Sequence, residues 1–391
     1  MPHILFDEAR GQRVPVHLWA LDATDETLAQ LMRIASQPYV VRHVAAMADA
    51  HVAHGVAVGT VFATERTLVP RALGGDLGCG IAATRLSLGA ADLDRRTLQR
   101  IVDALGRAIP AGDGVHRGAG VSVPDALQSG VLSTHALLRT RDALAKKHLA
   151  TLGGGNHFLE LDRDADGGAW LLVHSGSRGL GAAIAAHHVR AAEARDEARG
   201  GADVIAGLDV DTAEGRAYFD DVTWALAFAR ANRDALARRA LEVLADVTGA
   251  EVEALEHLDV HHNFVARETW DGEELLVHRK GAVCVPRGTR ALIPGSMATA
   301  SYVVEGLGCA MAFDSCSHGA GRVLTRSQAR ATVHPQALAR DMRRIVWPEH
   351  LARKLVEEAP GAYRAIGEVL DAQDDLVKRE KRLEPIAVLK G

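Results

Sequence analysis

Asp76 and Cys79 lie three residues apart in Gly75-Asp76-Leu77-Gly78-Cys79-Gly80, where glycine lets a backbone turn tightly and approach a ligand. A carboxylate and a thiolate on one such turn can reach a single cation together, or the thiolate can bridge two. A second segment, Gly153-Gly154-Gly155-Asn156-His157-Phe158-Leu159-Glu160, brings His157 and Glu160 toward one site if it turns. A third, Val173-His174-Ser175-Gly176-Ser177-Arg178-Gly179, ends an apolar run on an imidazole and follows it with small residues and an arginine. That is the composition of a phosphate or oxyanion cradle, built from backbone N–H groups and a guanidinium fork. His261 and His262 are adjacent in a strand-like run, so only one of them can enter a given site. His51 and His54, behind Asp49, are weaker candidates, and His187 and His188 read as ordinary helix residues.

The segment Ser317-His318-Gly319-Ala320-Gly321-Arg322, with Arg326 four residues beyond Arg322, sets one imidazole beside two cations. The two arginines share a helical face if a helix begins here. Such a grouping suits an imidazole that attacks a phosphate whose charge the arginines neutralise. One Cys, one Asp and three His in separate Gly-rich turns form a dimetal set of borderline softness, suited to Mn, Zn or Fe. The chemistry expected is metal-dependent phosphoryl or nucleotidyl transfer or hydrolysis.

These residues need elements to hold them. The β-branched, Gly-bounded runs 56–64, 81–88, 169–176, 257–267, 274–283 and 300–306 predict buried strands, with the chemistry at their ends. Helical spacing predicts helices over 91–108 and 212–247, the latter as one long helix or two, and over 335–346, 349–358 and 361–381. The apolar ending LEPIAVLKG is expected to be tied down. Strands and helices interleave irregularly, without a GxGxxG fingerprint, so the fold class is α+β. Without repeats or linker tracts, one catalytic domain over 1–391 fits best.

Composition narrows the classes further. Lys+Arg number 45 against 50 Asp+Glu, a formal charge of -5, with mean hydropathy of -0.01. No run approaches the ~18 apolar residues of a membrane helix, and the opening MPHILFDEAR lacks the basic start and apolar core of a signal peptide. No membrane partner is expected, and the cytoplasm is the expected location. Four Cys without paired spacing argue against a disulfide scaffold. An aromatic content of 4% and a negative net charge fit poorly with an aromatic stacking platform for single strands.

Read in order, the segments Ala46-Met47-Ala48-Asp49-Ala50-His51, Asp76-Leu77-Gly78-Cys79-Gly80, Gly155-Asn156-His157-Phe158, His174-Ser175-Gly176-Ser177-Arg178-Gly179, His262-Asn263, Arg279-Lys280-Gly281-Ala282, Ile293-Pro294-Gly295-Ser296-Met297, Ser317-His318-Gly319-Ala320-Gly321-Arg322 and the final Lys390-Gly391 resemble the RtcB family of RNA-splicing ligases. The resemblance covers nearly the whole chain. It departs from the family pattern at Ala48, where Pro is usual, and at Ala298, where Gly is common; neither is a ligand.

The resemblance implies an α+β domain with a cleft for two Mn²⁺ and GTP, joining RNA 3′-phosphate or 2′,3′-cyclic phosphate ends to 5′-hydroxyl ends. It implies that Asp76, Cys79 and His157 hold one ion, and that Cys79 bridges to a second held by His174 and His262. His318 would be the nucleophile that takes GMP from GTP. Glu160, Ser301, Tyr363 and Lys390 would recognise guanine, and Asn156, Phe158 and Ser296 would line the rest of the nucleotide pocket. Arg178, Arg322 and Arg326 would meet RNA or triphosphate, where salt-dependent affinity needs cations. Two other enzymes would use the same residues: a dimetal phosphoesterase in which His318 only binds phosphate, and a guanylylating enzyme that caps 3′ ends. A non-catalytic RNA-end binder would not need a nucleophile beside metal ligands.

Overall fold

The computed structural model describes residues 1–391 except 21, 119 and 198–203. Its strands are β1 (His3–Leu5), β2 (Val16–Leu18), β3 (Val40–His51), β4 (Val58–Thr64), β5 (Thr67–Leu68), β6 (Gly80–Gly89), β7 (Phe158–Arg163), β8 (Gly168–Ser175) and β9 (Leu208–Asp209). They continue with β10 (Ala254–His261), β11 (Asn263–Trp270), β12 (Glu273–Lys280), β13 (Ala282–Cys284), β14 (Arg290–Ile293), β15 (Ser301–Gly306), β16 (Ser315–Ser317) and β17 (Val377–Lys390). One sheet runs β1-β2-β3-β4-β12-β11 and a second runs β10-β6-β8-β7-β17-β15-β14, with the small pairs β13-β16 and β5-β9 beside them. Among the described strands every pair is antiparallel except β2 with β3. The mixture of helices and largely antiparallel sheets is the α+β class expected.

The seven-stranded sheet is covered on both faces, which is why its strands read as near-continuous apolar runs. Successive side chains of a strand point to opposite faces. Ala82, Leu171 and Val173 pack with Leu236, Ala240 and Leu244 of the helix Ala213–Thr248. Their neighbours Ile81, Ala83, Trp170 and Leu172 pack on the other side with Met342 and Trp347. Helix Ala213–Thr248 is a single element of 36 residues, started by Thr212, whose side chain accepts from the Gly215 N–H, and stopped by Gly249 in the left-handed region. A helix over Arg95–Ala108 begins a turn later than the spacing predicts. Asp94 caps it by accepting from the Thr97 N–H, and a 3₁₀ turn over Ala90–Asp92 precedes it.

Two expected strands are each broken, and both breaks fall at the site. The run 257–267 is β10 and β11, one in each large sheet, with His262 alone at the crossing. The run 274–283 is β12 and β13, parted by Gly281 at φ 62°, where a Cβ would lie 2.3 Å from Val58 Cγ1.

The C-terminal third differs most from expectation. The helix predicted over 335–346 stops at Asp341, and 349–358 is a series of short turns, 3₁₀ over Glu349–Leu351 and Val356–Glu358 around the helix Ala352–Leu355. The predicted helix 361–381 is incorrect. Only Ile366–Asp371 is α-helical, after a 3₁₀ turn over Pro360–Ala362, and β17 begins at Val377. The charged residues 378–382 are favourable for helix, and irregular pairing at Pro385–Ala387 breaks the alternation that would mark a strand. Pairing of its first half, Val377–Leu383, with β15 and of its second half, Glu384–Lys390, with β7 overrides those local preferences. The apolar ending is tied down, as the interior edge of that strand.

Candidate metal and nucleotide site

The site lies where the two large sheets meet. Cys79 sits at the mouth of β6, closing a turn in which its own N–H donates to Asp76 O at 3.1 Å. Gly78, at φ 71°, allows that turn against the long helix, since a Cβ there would lie 2.9 Å from Ala229 Cβ. The crossing residue His262 is joined to it directly, donating its N–H to Cys79 O at 2.9 Å. Asn263 adds two side-chain bonds, to Leu73 O at 2.7 Å and to Asp76 O at 3.0 Å.

Cys79 Sγ is 3.5 Å from His157 Nε2 and 3.3 Å from His174 Nε2. The far nitrogen of each ring faces a carbonyl, His157 Nδ1 to Leu152 O at 2.9 Å and His174 Nδ1 to Asn156 O at 3.2 Å. A carbonyl only accepts, so the Nδ1 atoms carry the protons and both Nε2 lone pairs face the sulfur. Potential ligand atoms of Asp76, Cys79 and His157 lie within 4.8 Å of one another, as do those of Cys79, His174 and His262. The two groups share Cys79. Of the adjacent histidines only His262 enters; His261 turns away and places its Nδ1 2.9 Å from Gly78 O.

Burial sets the charge state of this cluster. Burial pushes His174 and His262 well below the ordinary histidine range and His157 down to about 4, so the imidazoles are neutral. Burial and the Asp76 carboxylate push the Cys79 thiol well up. His262 Nδ1 is buried without a hydrogen-bond partner, an arrangement that costs free energy if left alone. A borderline cation fits: it would accept the orphaned lone pairs and favour the thiolate. A third group, Asp234, His257 and Asp259, also has its ligand atoms within 4.8 Å, but both Asp259 oxygens are already held by Arg233, at 2.5 and 2.9 Å.

His318 stands next to this cluster, its ring 4.9 Å from that of His262. It follows β16, and β13 holds that strand in place through Ala282 opposite Ser317. Its Nδ1 lies 2.6 Å from Oδ2 of the fully buried Asp49. Burial alone would lower the His318 pKa, but the Asp49 carboxylate reverses this and raises it above the ordinary value. Asp49 appears in the sequence only as part of a motif; β3 runs it beneath the loop after β16, across more than half the chain.

A cavity of about 1610 Å³ opens beside these residues and is lined by Asp76, His174, His262 and His318 together with Asn156, Phe158, Glu160, Ser296, Ser301, Arg322, Arg326, Tyr363 and Lys390. Strand pairing explains part of this set. Glu160 is opposite Val388 and Phe158 opposite Lys390 across β7 and β17. Lys390 Nζ lies 5.9 Å from the Phe158 ring centre. Glu160 is buried with Asp162 two residues on, the same face of β7. Burial and mutual repulsion raise Glu160, and burial raises Asp162 to about 7.

The sequence reading missed Glu358. This buried carboxylate accepts from Lys390 Nζ at 3.1 Å, from Arg322 Nη1 and Arg326 Nε at 3.2 Å each, and from the Tyr363 hydroxyl. Burial would raise its pKa, but Lys390, the Tyr363 hydrogen bond and the two arginines hold it down to about 2. Arg322 also lies over the Tyr363 ring, 4.9 Å from its centre. Arg322 and Arg326 meet at Glu358 without sharing a helix, because Thr325 caps the helix that starts at Arg326. No spacing rule links Glu358 to its partners.

Arg178 is placed apart from that pair. It adopts φ 58°, its Nε donates to Thr151 Oγ1 at 3.2 Å, and Nη1 lies 3.4 Å from His157 Nδ1, the ring edge away from Cys79. Gly153 leaves space for it, since a Cβ there would lie 1.9 Å from Nη1. His51 and His54 line the cavity beside Lys280, whose Nζ donates to His54 O at 3.1 Å and whose pKa burial lowers to about 8. His188 has a structural partner, Asp221 Oδ2, at 2.7 Å. No helix is long and apolar enough to cross a membrane among the described residues.

Comparison with known proteins agrees with this geometry. A family model described as tRNA-splicing ligase RtcB matches residues 30–391. The chain is similar to the RNA-splicing ligase RtcB of Escherichia coli strain K12, 35% identical over 405 residues, covering 97% of this chain and 98% of that protein. The RNA-splicing ligase RtcB of Mycobacterium tuberculosis strain H37Rv is 33% identical, covering 93% of this chain and 100% of its own. The tRNA-splicing ligase RtcB of Thermococcus kodakarensis is 29% identical, covering 98% and 96%. A match of this extent, on a fold that gathers the same motifs around one cavity, means that the chain belongs to the RtcB family.

Proposed function

We propose that this protein is an RNA ligase that uses GTP and two Mn²⁺ ions to join RNA 3′-phosphate or 2′,3′-cyclic phosphate ends to 5′-hydroxyl ends. The observation that carries the reading is the sharing of Cys79 by two ligand groups, with the His318 ring 4.9 Å from His262 at the wall of one cavity. Asp76, Cys79 and His157 would hold one ion, and Cys79, His174 and His262 the other. When bound, the ions supply Lewis-acid stabilisation of charge developing on phosphate oxygens.

The rest follows from the chain's own groups. With Nδ1 turned to Asp49, His318 presents Nε2 as the free nitrogen, and the neutral ring is the nucleophile. Nε2 bonds to the α-phosphorus of GTP, the α–β phosphoanhydride breaks, and pyrophosphate leaves. An oxygen of the RNA 3′-phosphate then takes the GMP, breaking the P–N bond and freeing His318. Attack by the 5′-hydroxyl on the activated 3′-phosphate expels GMP and forms the phosphodiester. Glu160 accepts from the N1 and N2 donors of guanine, which adenine lacks. Arg322 and Arg326 offset phosphate charge, and Glu358 holds them, Tyr363 and Lys390 at one wall.

The test is intact mass after incubation of the purified protein with GTP and Mn²⁺, with ATP and His318→Ala alongside. A GMP-sized gain that needs both GTP and His318 is expected. No gain in metal-replete protein would favour the phosphoesterase reading, in which His318 binds phosphate without bonding to it.

A further inference from the structure

Helix Ala213–Thr248 reaches the back of the metal cluster with two adjacent residues, Asn232 and Arg233, both fully buried. A guanidinium has five donors in a fixed fork, and here they spread over three segments. Nε and Nη2 donate to the two oxygens of Asp259, while Nη1 donates to Gly78 O and Ser175 O at 3.1 Å each. Gly78 precedes Cys79, Ser175 follows His174, and Asp259 is on β10, which leads into His262.

Asn232 reaches the fourth ligand-bearing segment. Its amide nitrogen donates to Thr151 O at 3.1 Å, Ser175 Oγ at 3.0 Å and Gly176 O at 3.3 Å, and its Oδ1 accepts from the Thr151 N–H at 3.3 Å. Ser175 Oγ passes the bond on to Leu152 O at 2.9 Å, the carbonyl that also faces His157 Nδ1. Gly80 makes room for this frame, since a Cβ there would lie 2.9 Å from Arg233 Cζ.

A buried ion pair is poor evidence of a stability role, because a well-packed apolar pair often serves as well or better. Directed bonds to separate carbonyls are what an apolar pair cannot supply. We propose that Asn232 and Arg233 are positioning residues that hold the ligand-bearing turns in register before any cation arrives.

This rests on the two-ion reading above. The experiment is titration of the metal-stripped, full-length protein with Mn²⁺, following free ion by electron paramagnetic resonance. Wild type should take up two ions. Arg233→Lys keeps the charge opposite Asp259 but lacks the fork, and should weaken uptake by roughly 10-fold or more, the usual effect of losing a group that orients ligands. Its metal-free circular dichroism should match wild type. Asn232→Leu, similar in size and without the amide, should weaken uptake as well and serves if the lysine variant does not fold. Wild-type affinity in a folded variant overturns the positioning role. Absence of Mn²⁺ uptake by wild type overturns the two-ion reading, and this proposal with it.

Discussion

Asp49 Oδ2 lies 2.6 Å from His318 Nδ1 and also accepts the main-chain N–H groups of His318 and Gly319, each at 3.2 Å. One carboxylate oxygen therefore holds the loop through two main-chain hydrogen bonds and sets its charge beside the ring. His318→Ala should abolish GMP adduct formation while bound Mn²⁺ stays near wild type, because His318 is in neither ligand group. A surviving adduct in the mass spectrum would remove His318 as nucleophile.

The same contact sets a pH dependence. The neutral ring reacts, and Asp49 raises the His318 pKa above its ordinary value, so the single-turnover rate should rise with pH through that raised value. Asp49→Asn should move the rise to lower pH and slow the plateau by roughly 10-fold or more. Stability has the opposite sign: the protonated pair contributes fully below about pH 6.5, and its contribution is lost as pH rises through the folded-state value. A rate profile unchanged in Asp49→Asn would show that Asp49 does not act on the ring.

Cys79 belongs to both ligand groups. Cys79→Ser should lower occupancy of both ions, as measured by metal analysis after dialysis, since a hydroxyl is a poorer ligand for a borderline cation. Loss of a single ion would mean that the sulfur does not bridge.

Glu358 is held down to about 2 from an ordinary 4.5. Such a carboxylate contributes about 3 kcal/mol of stability, present above pH 4.5 and lost as pH falls through the folded-state value. Glu358→Gln should be less stable than wild type at neutral pH by that order in denaturant unfolding, and the gap should narrow toward pH 2. A gap constant with pH would contradict the charge argument.

Glu160→Gln keeps the shape but not the double acceptor. GTP binding should weaken by roughly 10-fold, the scale of losing a hydrogen bond at a buried site, measured by calorimetry. Equal affinity in the variant would place guanine elsewhere.

Much of the site was legible because its residues are carried by short Gly-rich turns. Asp76 and Cys79 share one, and His157 and His174 follow the local rules that put them at strand ends. His262 could be separated from His261 only as one of a pair, since alternation says that one enters but not which. Glu358, Asp49 and Arg233 act through contacts between segments far apart in sequence, and no period or spacing encodes those. Only the start of β17, residues 377–381, falls within the helix expected over 361–381, because its charged residues obey helical preference, and pairing with β15 is what makes it strand. The breaks at His262 and Gly281 escaped for the same reason: both depend on a second sheet.

β17 also imposes an order on assembly. Until it inserts between β7 and β15, the seven-stranded sheet exists as two separate pieces. All five metal-ligand candidates precede residue 263, whereas Lys390, on β17, lies opposite Phe158 of β7. Pairing across such a sequence distance is slow. A refolding chain can thus bring Asp76, Cys79, His157, His174 and His262 together first and complete the Lys390–Phe158 wall of the cavity last, so that its two halves arise as separate events in time.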